Sequence, residues 1–537
     1  MLIIASILVI AQIFLTYYRS KRSLHMLQQN LYNENNRYLK WVWKNNRQFL
    51  ELDLLVLFLV LIGVLGIYKL EFVSVVLQLM IALLWLLLGL RKQRELLESK
   101  EKKKLVVTAR VKRLIVTISI LYLIPIIFLF IRNEFLLTYW KWLLVLSMIT
   151  YLNPFMIFIA MIINTPMERC VYLYYKTKAQ RKLKSMNHLK IIGITGSYGK
   201  TSSKNILGEI LNIKYNALPT PRNLNTYNGL IMTVNNYMDK FTDIFIAEMG
   251  AYVKGEIAGL CRLVKPKYGI LTTIGTAHLE SFGSEQNIID GKFELIESLP
   301  EDGFAILNGD DPKQVNYHLK NKVKTIWIGI DNKEADVVAK NIKCSNKGTS
   351  FDVVFKKEKG THHFETKLLG KHNVYNILDG IACGREFDIP IEDLQKAVSN
   401  VQPIEHRLEL KPLGNFYMID DAYNSNPVGA KRALEVLKMM PGVKVVVTPG
   451  MIELGEKEEE YNKELGKQIA EVADYVVLIG ENKTKPIQEG LVEKRFDNDK
   501  IIIFNDVREA YPFIGKIAQD NQVYALFEND LPDMYNE

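Results

Sequence analysis

Cysteine is scarce in this 537-residue chain, which has only Cys170, Cys261, Cys344 and Cys383. No two of them are spaced as a metal-binding pair, so the sequence gives no sign of a zinc ribbon or a disulfide framework. Scattered thiols are typical of a reducing compartment. The apolar fraction of 48% excludes a disordered or fibrous protein and is ordinary for a chain that is part membrane and part globular.

The larger, C-terminal part of the chain has no net positive charge. Residues 1–188 hold 26 Lys/Arg and 9 Asp/Glu, whereas the remaining residues hold 42 and 50. A nucleic-acid binder places its positive field on the globular part, so we expect no nucleic-acid partner.

Long apolar runs are confined to the first 165 residues. The five runs are Leu2–Tyr18, Leu54–Tyr68, Phe72–Leu90, Leu114–Ile131 and Leu143–Ile163. They lack a polar face, which excludes core helices of a soluble domain. No basic residue precedes the first run and no small-x-small site follows it, which excludes a cleaved signal peptide. We therefore predict a five-span transmembrane segment over 1–165.

Basic loops set the predicted orientation. Residues 19–51 carry seven Lys/Arg and residues 91–113 carry ten, so both loops are expected in the cytoplasm, with the N-terminus outside. The expected location is the plasma membrane, with everything after Ile163 inside. Pro125 and Pro154 are predicted to kink their helices. Because the spans hold almost no ionisable side chains, they are typical of an anchor and not of a transport pathway.

A basic, tyrosine-rich linker is predicted over 166–188, either as a helix on the anionic inner leaflet or as a solvated connector. Short β-rich runs then alternate with helical stretches, which indicates α/β domains with parallel sheets. We place a P-loop domain at 189–402 and a Rossmann-like domain at 403–537. The predicted strands are Lys190–Ile194, Ile244–Glu248, Tyr268–Thr273, Phe304–Asn308, Thr325–Ile328, Phe416–Ile419, Lys444–Thr448, Tyr475–Ile479, Ile501–Phe504 and Val523–Phe527.

The sharpest motif runs from Lys190 to Thr201, where a β-run feeds a Gly-rich turn that opens a helix. Backbone N–H groups of such a turn cradle phosphate oxygens, Lys200 would neutralise the phosphates, and the Thr201 hydroxyl would ligate Mg²⁺. The usual P-loop spacing is not met because position 194 is Ile, so a chance Gly-rich turn is the alternative. Glu248 ends a second apolar strand, where nucleotide enzymes place an acidic residue, although strands ending in Glu are common.

These residues resemble the Mur ligases, ATP-dependent amide-forming enzymes of cell-wall precursor synthesis. The matching segments, in order, are 195–201, 220–225 with Gly229, 248–251, 276–280, 292–295, 308–311, 370–376, 405–408, 420–427 and 451–455. The last two point to the branch that adds D-alanyl-D-alanine to the muramoyl tripeptide. The resemblance implies two Mg²⁺ ions, ATP, and a carboxylate that is activated as an acyl phosphate before an amine attacks it.

The resemblance also implies residue roles. The nucleotide-binding set is Gly196, Ser197, Tyr198, Gly199, Lys200, Thr201 and Ser202 for phosphate, His372, Asn373 and Asn376 for adenine, and Arg407 and Asp421 for phosphate and ribose. Glu248 and His278 would ligate Mg²⁺ with Thr201, and Lys292 would be carbamylated to bridge the second ion. The substrate set is Asn223, Asn225, Tyr423, Asn424 and Asn426.

Each role has a plainer alternative. His278 is otherwise a packed histidine and Lys292 a surface lysine. The stretch from His372 to Asn376 is otherwise a polar helix cap, and Asn223 and Asn225 are simple loop residues.

Three departures from the family leave the substrates open. The membrane segment stands where the family has its UDP-sugar domain, so the peptide-carboxylate acceptor is expected to be lipid-linked or otherwise at the membrane, in contact with lipids. Residues 525–532 replace a usual Lys-Gly-Ser strand end, and Thr448-Pro-Gly450 stands in place of a Gly-Asp pair. The amine donor is therefore either D-Ala-D-Ala or an amino acid. Other possibilities are a non-muramoyl or polymeric acceptor, a P-loop-powered transporter or sensor, and a catalytically dead subunit.

Overall fold

The computed structural model describes residues 2–30, 32, 36–44, 53–65, 71–98, 105–131, 136–276, 279–422, 425–452, 454 and 457–529. The chain forms two compact units, of which the first ends at Tyr174 and the second begins at Tyr175. The two units differ in class. The first contains only helices among its described residues, whereas the second is built on two β-sheets.

The helices that begin in the first unit are α1 Leu2–Gln29, α2 Arg37–Lys44, α3 Asp53–Val64, α4 Glu71–Glu98, α5 Ala109–Ile131, α6 Leu136–Tyr151 and α7 Asn153–Ser185. Of these, α7 continues past Tyr174 into the second unit. Within the described ranges, α1, α4, α5 and α7 are long and apolar enough to cross a membrane, and α3 is a shorter apolar helix. Apolar side chains such as Ile3 (77% exposed) and Phe72 (76% exposed) face outward. Such an outward-facing apolar surface suits lipid and not water.

The predicted fifth span is not one helix. The run Leu143–Ile163 is divided at Leu152, where α6 has ended and before α7 begins, so the helix is interrupted beside Pro154, where we predicted a kink. Proline has no N–H, so Pro154 cannot donate to the carbonyl of Thr150. The Arg19 guanidinium donates to that carbonyl instead, at 2.9 Å.

Buried polar side chains stabilise this break. Asn153 is fully buried; its Nδ2 donates to Ser20 Oγ at 2.9 Å and to Tyr122 OH at 3.2 Å, and its Oδ1 accepts from Ser23 Oγ at 3.1 Å. Tyr122 OH in turn donates to the carbonyl of Ile149 at 2.8 Å. Because unpaired carbonyls in an apolar surrounding are costly, these bonds are what permit the interruption.

The larger sheet of the second unit has the order β2-β3-β1-β4-β5-β6-β7-β8-β9. Its strands are β1 Lys190–Thr195, β2 Ala217–Pro219, β3 Ile244–Glu248, β4 Tyr268–Leu271, β5 Phe304–Asn308, β6 Lys324–Gly329, β7 Val337–Ser345, β8 Gly348–Phe355 and β9 His362–Thr366. All pairs are parallel except those of the hairpins β7–β8 and β8–β9. Ile194 pairs with Glu248, so the ends of β1 and β3 lie side by side.

The smaller sheet has the order β10-β11-β15-β12-β13-β14, with β10 antiparallel to β11 and the other pairs parallel. Its strands are β10 Glu409–Leu413, β11 Phe416–Asp421, β12 Val443–Thr448, β13 Tyr475–Ile479, β14 Ile501–Phe504 and β15 Val523–Glu528. The predicted α/β class is confirmed, and all ten predicted strands are present to within two residues at each end. The unpredicted strands are β2, β7, β8, β9 and β10.

The helices that cover these sheets are α8 Lys200–Leu211, α9 Tyr227–Asn236, α10 Glu256–Val264, α11 Leu279–Phe282, α12 Glu285–Glu297, α13 Pro312–Val315, α14 Lys371–Glu386, α15 Ile391–Asn400, α16 Pro427–Lys438, α17 Glu458–Ala470, α18 Lys485–Glu493 and α19 Ala510–Ile517. The end of α7 belongs to the same unit. Ala179 is fully buried in its core, Lys182 donates to the carbonyl of Met238, and Asn235 donates to the carbonyl of Tyr175 at 2.9 Å. This part of the predicted linker is therefore packed and is not a solvated connector.

Candidate functional site

The phosphate-loop candidate is a turn between β1 and α8 that depends on two glycines. Gly196 has φ 152° and Gly199 has φ 83°, and a Cβ at Gly196 would collide with the Thr272 hydroxyl. The N–H of Ser197 donates to the carbonyl of Thr273 at 2.9 Å, which fixes the turn on the end of β4. Gly199 precedes α8 and provides no side-chain cap, so the first N–H groups of α8 are available to an anion.

Lys200 lies in the first turn of α8, with its side chain folded back over the loop. Its Nζ donates to the carbonyls of Gly196 at 2.8 Å and Ser197 at 3.2 Å. Burial lowers the pKa of Lys200 to about 8, the Glu248 carboxylate opposes this, and the positive charge of Arg407 adds to it. A nearby anion such as a phosphate would favour the charged ammonium.

Glu248 is the centre of the polar cluster at the ends of β1 and β3. Its Oε1 accepts from Thr201 Oγ1 at 3.0 Å and from Asn225 Nδ2 at 3.1 Å. Its Oε2 lies 3.0 Å from the Nζ of Lys204, a residue that we did not predict. Three predicted site residues, Thr201, Asn225 and Glu248, are thus brought together.

The oxygens of Thr201 and Glu248 fit a hard cation. Hydroxyl and carboxylate oxygens are the ligands that Mg²⁺ prefers, and these two are hydrogen-bonded to each other beside the loop. The third predicted ligand, His278, lies outside the described residues. In the part of the chain that the structure describes, no three His, Cys, Asp or Glu side chains form a metal-binding group.

Lys292 lies on α12 and is only 1% exposed, so the alternative of a surface lysine is wrong. Its Nζ is 3.5 Å from the carbonyl oxygen of Ala251 and 5.4 Å from the centre of the Phe282 ring. Burial and the positive charge of Lys200 lower the pKa of Lys292 to about 7. A large share of this amine is therefore neutral at neutral pH.

The three residues predicted to hold adenine lie in the first turns of α14. Asn373 Nδ2 donates to the carbonyl of Leu369 at 2.9 Å, and Asn376 Nδ2 donates to Asn373 Oδ1 at 3.0 Å. Burial and the positive charge of Arg432 lower the pKa of His372 to about 3, so its ring is neutral. α14 has no side-chain N-cap, so the alternative of a polar cap does not describe this stretch.

A cavity of about 240 Å³ lies beside Asn373 and Arg407. Its remaining lining residues are Asn346, Lys347, Lys367, Leu368, Leu369, Pro403, Leu408 and Leu410. Leucine and proline walls with a few convergent polar groups are typical of small-molecule pockets. The cavity therefore joins one predicted nucleotide residue from α14 with one from the C-terminal domain.

The predicted site residues of the C-terminal domain have different surroundings from one another. Burial raises the pKa of Asp421 to about 6 against the opposing charge of Arg407, and Asp421 pairs in register with Glu528 on the adjacent strand. Asn426 is the N-cap of α16, where its Oδ1 accepts from the N–H of Gly429 at 2.9 Å. Tyr423 and Asn424 lie outside the described residues, and the exposed Asn223 lies in the loop before Asn225.

The sequence patterns did not predict three functional candidates: Lys204, Ser203 and Asp379. The Ser203 hydroxyl bridges Asn376 Oδ1 at 3.0 Å and Asp379 Oδ2 at 2.9 Å, and burial raises the pKa of Asp379 to about 8. Sequence spacing could have indicated two of these residues, because Lys204 follows Lys200 by four residues and Asp379 follows Asn376 by three. Both pairs therefore share a helix face with a predicted site residue.

Comparison with known proteins shows which family this chain resembles in sequence and fold. The profile of the Mur ligase middle domain matches residues 194–384, and that of the Mur ligase glutamate ligase domain matches residues 406–527. The UDP-N-acetylmuramoyl-tripeptide–D-alanyl-D-alanine ligase of Bacillus subtilis is 35% identical over 325 residues, which cover 60% of this chain and 68% of that protein. The chain belongs to the Mur ligase family.

Solved structures of the family agree with the fold. MurF from Acinetobacter baumannii matches with a TM-score of 0.60 and 28% identity over 67% of this chain and 77% of that chain. The MurF ligase from Thermotoga maritima in complex with ADP matches with a TM-score of 0.58 and 26% identity over 66% and 79%. The chain spans about two thirds of the curated relatives it matches, and neither profile covers residues 1–193.

Proposed function

We propose that this Mur ligase joins the carboxylate of a peptide acceptor to the amino group of D-Ala-D-Ala or an amino acid, and that it converts ATP to ADP and phosphate. The observation that carries the proposal is the cluster in which Thr201 and Asn225 both donate to Glu248, at 3.0 and 3.1 Å. This cluster places a residue of the phosphate loop and a residue of the predicted acceptor segment on one carboxylate. A nucleotide phosphate and an acceptor would therefore meet at this edge of the sheet.

The chemistry needs activation because a carboxylate is a poor electrophile. One carboxylate oxygen attacks the γ-phosphorus of ATP, the bond to the ADP oxygen breaks, and an acyl phosphate forms. The amine then attacks the carbonyl carbon and loses a proton. The tetrahedral intermediate expels phosphate, which carries away the former carboxylate oxygen.

The chain's own residues orient the groups and offset charge during these steps. Lys200 and the N–H groups at the start of α8 would hold the phosphates, while Asn225 would orient the acceptor beside Glu248. When bound by Thr201, Glu248 and His278, Mg²⁺ supplies further neutralisation of phosphate charge. The buried, half-neutral amine of Lys292 suits carbamylation, since only a neutral amine adds to CO₂.

Water has to be kept from the acyl phosphate, which it would hydrolyse. Arg407 lines the 240 Å³ cavity together with Asn373 of α14. Its positive charge lowers the pKa of Lys200 and opposes the raised pKa of Asp421. We propose that Arg407 and Asp421 clamp the nucleotide when the C-terminal domain closes. His372, Asn373 and Asn376 would hold the adenine beside the 240 Å³ cavity.

We place the enzyme in the plasma membrane, with its N-terminus outside and its catalytic domains in the cytoplasm. Four long apolar helices, the shorter apolar helix α3 and the basic loops support this proposal, because five crossings put the two ends of the segment on opposite sides of the membrane. An impermeant thiol reagent on intact cells should label a cysteine at Lys69, in the short loop expected outside, but not one at Arg94. Confinement to the membrane raises the effective concentration of a lipid-borne substrate, so we propose a lipid-linked acceptor.

The test is a direct competition of acceptors. The full chain in nanodiscs is given ATP, Mg²⁺ and either D-Ala-D-Ala or single amino acids, together with lipid-linked peptide or soluble UDP-linked tripeptide. We expect amide product and ADP, with the lipid-linked acceptor preferred and the Lys200→Ala variant inactive. Ligation onto the UDP-linked tripeptide alone would contradict the lipid-linked acceptor, and no ADP with any acceptor would contradict ligase activity.

A further inference from the structure

Lys204 is a buried lysine on the inner face of α8, one turn beyond Lys200. Its Nζ lies 3.0 Å from Glu248 Oε2, and both side chains are 1% exposed. The same Nζ donates to the backbone carbonyl of Arg222 at 2.6 Å. A buried ammonium is costly unless it is paired and hydrogen-bonded, so both contacts hold Lys204 in place.

The two partners of Lys204 belong to different parts of the site. Glu248 ends β3 and accepts from Thr201 of the phosphate loop, whereas Arg222 lies in the segment 220–225 that precedes α9. Arg222 has φ 49°, in the left-handed region that costs about 1 kcal/mol or more for a residue with a side chain. A conformation of this kind persists only where its surroundings hold it. Here the bond from Lys204 adds to the bond from the N–H of Leu224 to the carbonyl of Pro221, at 3.1 Å.

The contacts form a closed ring. Lys204 reaches Glu248, Glu248 accepts from Asn225 Nδ2 at 3.1 Å, and the chain returns from Asn225 to Arg222, whose carbonyl accepts from Lys204. The carboxylate therefore cannot turn without pulling on the segment 220–225. An ion pair that served only to stabilise the core would not include a strained loop residue.

We propose that Lys204 is a positioning residue that couples the segment 220–225 to the carboxylate of Glu248. The naming of these two parts as acceptor side and nucleotide side rests on the proposed function, whereas the coupling itself rests on the contacts. A cation or nucleotide that interacts with the Glu248 carboxylate weakens the ion pair between Glu248 and Lys204. This changes the strength of the hydrogen bond from Lys204 to the carbonyl of Arg222. Acceptor and nucleotide would then each sense the other through one side chain.

The test follows backbone amide exchange in the peptide that covers residues 221–226 of the full chain in nanodiscs, in which Pro221 has no N–H and the exchanging amides are those of residues 222–226. We expect Lys204→Met to speed exchange there about tenfold, the factor for losing one bond to a charged group. Lys204→Arg, which keeps the cation and its N–H donors, should restore most of the protection. The matched control is Lys214→Met, because Lys214 is exposed and donates to the carbonyl of Asp388 at 2.8 Å, away from Glu248; it should leave 221–226 unchanged.

Kinetics provide a readout that a purely structural lysine would not move. Lys204→Met should raise the KM for the acceptor by about 10- to 100-fold, as loss of a supporting contact to a ligand residue does, and change the KM for ATP far less. Unchanged exchange in 221–226, or exchange that rises equally throughout β1 and β3, would overturn the coupling.

The unaltered chain gives a second measurement if Lys204→Met does not fold. Mg²⁺ with a β,γ-imido analogue of ATP should change the exchange of residues 221–226, and no change would overturn the proposal. Amide exchange does not depend on turnover, so the two proposals can fail separately. If the unaltered chain lacks ligase activity but shows this change in exchange, the proposed function is contradicted and the coupling is still supported.

Discussion

The N-terminal helices turn large apolar side chains outward and bury amides and hydroxyls, whereas the unit that begins at Tyr175 buries its apolar strands and exposes its charges. In the first unit the buried Asn153 holds together a helix break. In the second, the buried charges of Lys204, in the second turn of α8, and of Glu248, at the end of β3, lie beside the phosphate loop. Buried polarity thus supports the shape of the helical unit, but in the α/β unit it marks the place where we expect chemistry.

The largest effect on activity is expected from removing the positive charge at the phosphate loop. Lys200→Ala should lower ATP-dependent product formation by about 10²- to 10³-fold or more, because a preorganised donor to the transferring phosphoryl group is lost. Trp fluorescence should report unchanged folding of the helical unit, which holds five of the six tryptophans. Near-normal turnover in this variant would contradict the assignment of the loop.

Lys292 tests whether a second buried lysine of the α/β unit is functional. We expect Lys292→Ala to lose most of its activity and acetate to restore part of it, since acetate replaces the carboxylate of a carbamylated lysine. The amine is neutral above its pKa of about 7 and charged below it, so activity should fall as the pH drops below 7, and added bicarbonate should restore part of it. Full activity of Lys292→Ala without acetate would contradict carbamylation.

The outward faces of the two units can be compared with one substitution. Ile120 on α5 is 53% exposed and Phe241 in the α/β unit is 66% exposed. Ile120→Lys should cost about 2.5–3.5 kcal/mol of membrane insertion, whereas Phe241→Lys should stay within about 0.5 kcal/mol of the unaltered stability. The yield of membrane-integrated protein and its melting temperature measure the two effects. Equal tolerance at both positions would contradict a lipid-facing surface on α5.

The smallest effect is expected at the helix break. Asn153→Ala removes partners from Ser20, Ser23 and Tyr122 and should destabilise the helical unit by about 1–2 kcal/mol, with little change in ATP turnover. Thermal unfolding in nanodiscs, followed by Trp fluorescence, measures this. The control is Thr165→Ala, because Thr165 donates only within its own helix, to the carbonyl of Met161 at 3.0 Å. An equal shift in both variants would mean that the polar contacts at the break are unimportant.

The α/β unit could be predicted well because its strands are short apolar runs and its motifs occur in order. The hairpins β7–β9 escaped because their partly exposed strands contain polar residues at many positions. Lys204 escaped for a similar reason, since a lysine on a helix is expected to be solvated and only the fold shows Glu248 and Arg222 beside it. In the helical unit, a sequence run could not show that Arg19 takes the carbonyl that Pro154 leaves unpaired.

The central claim is that this chain activates a carboxylate through ATP, and isotope transfer tests it most directly. An acceptor whose carboxylate is labelled with ¹⁸O is incubated with ATP, Mg²⁺, the amine and the full chain in nanodiscs, and the released phosphate is analysed by mass spectrometry. We expect one ¹⁸O atom in phosphate for each amide formed, and none with Lys200→Ala. Amide formation or ATP hydrolysis that leaves all the phosphate unlabelled would contradict it.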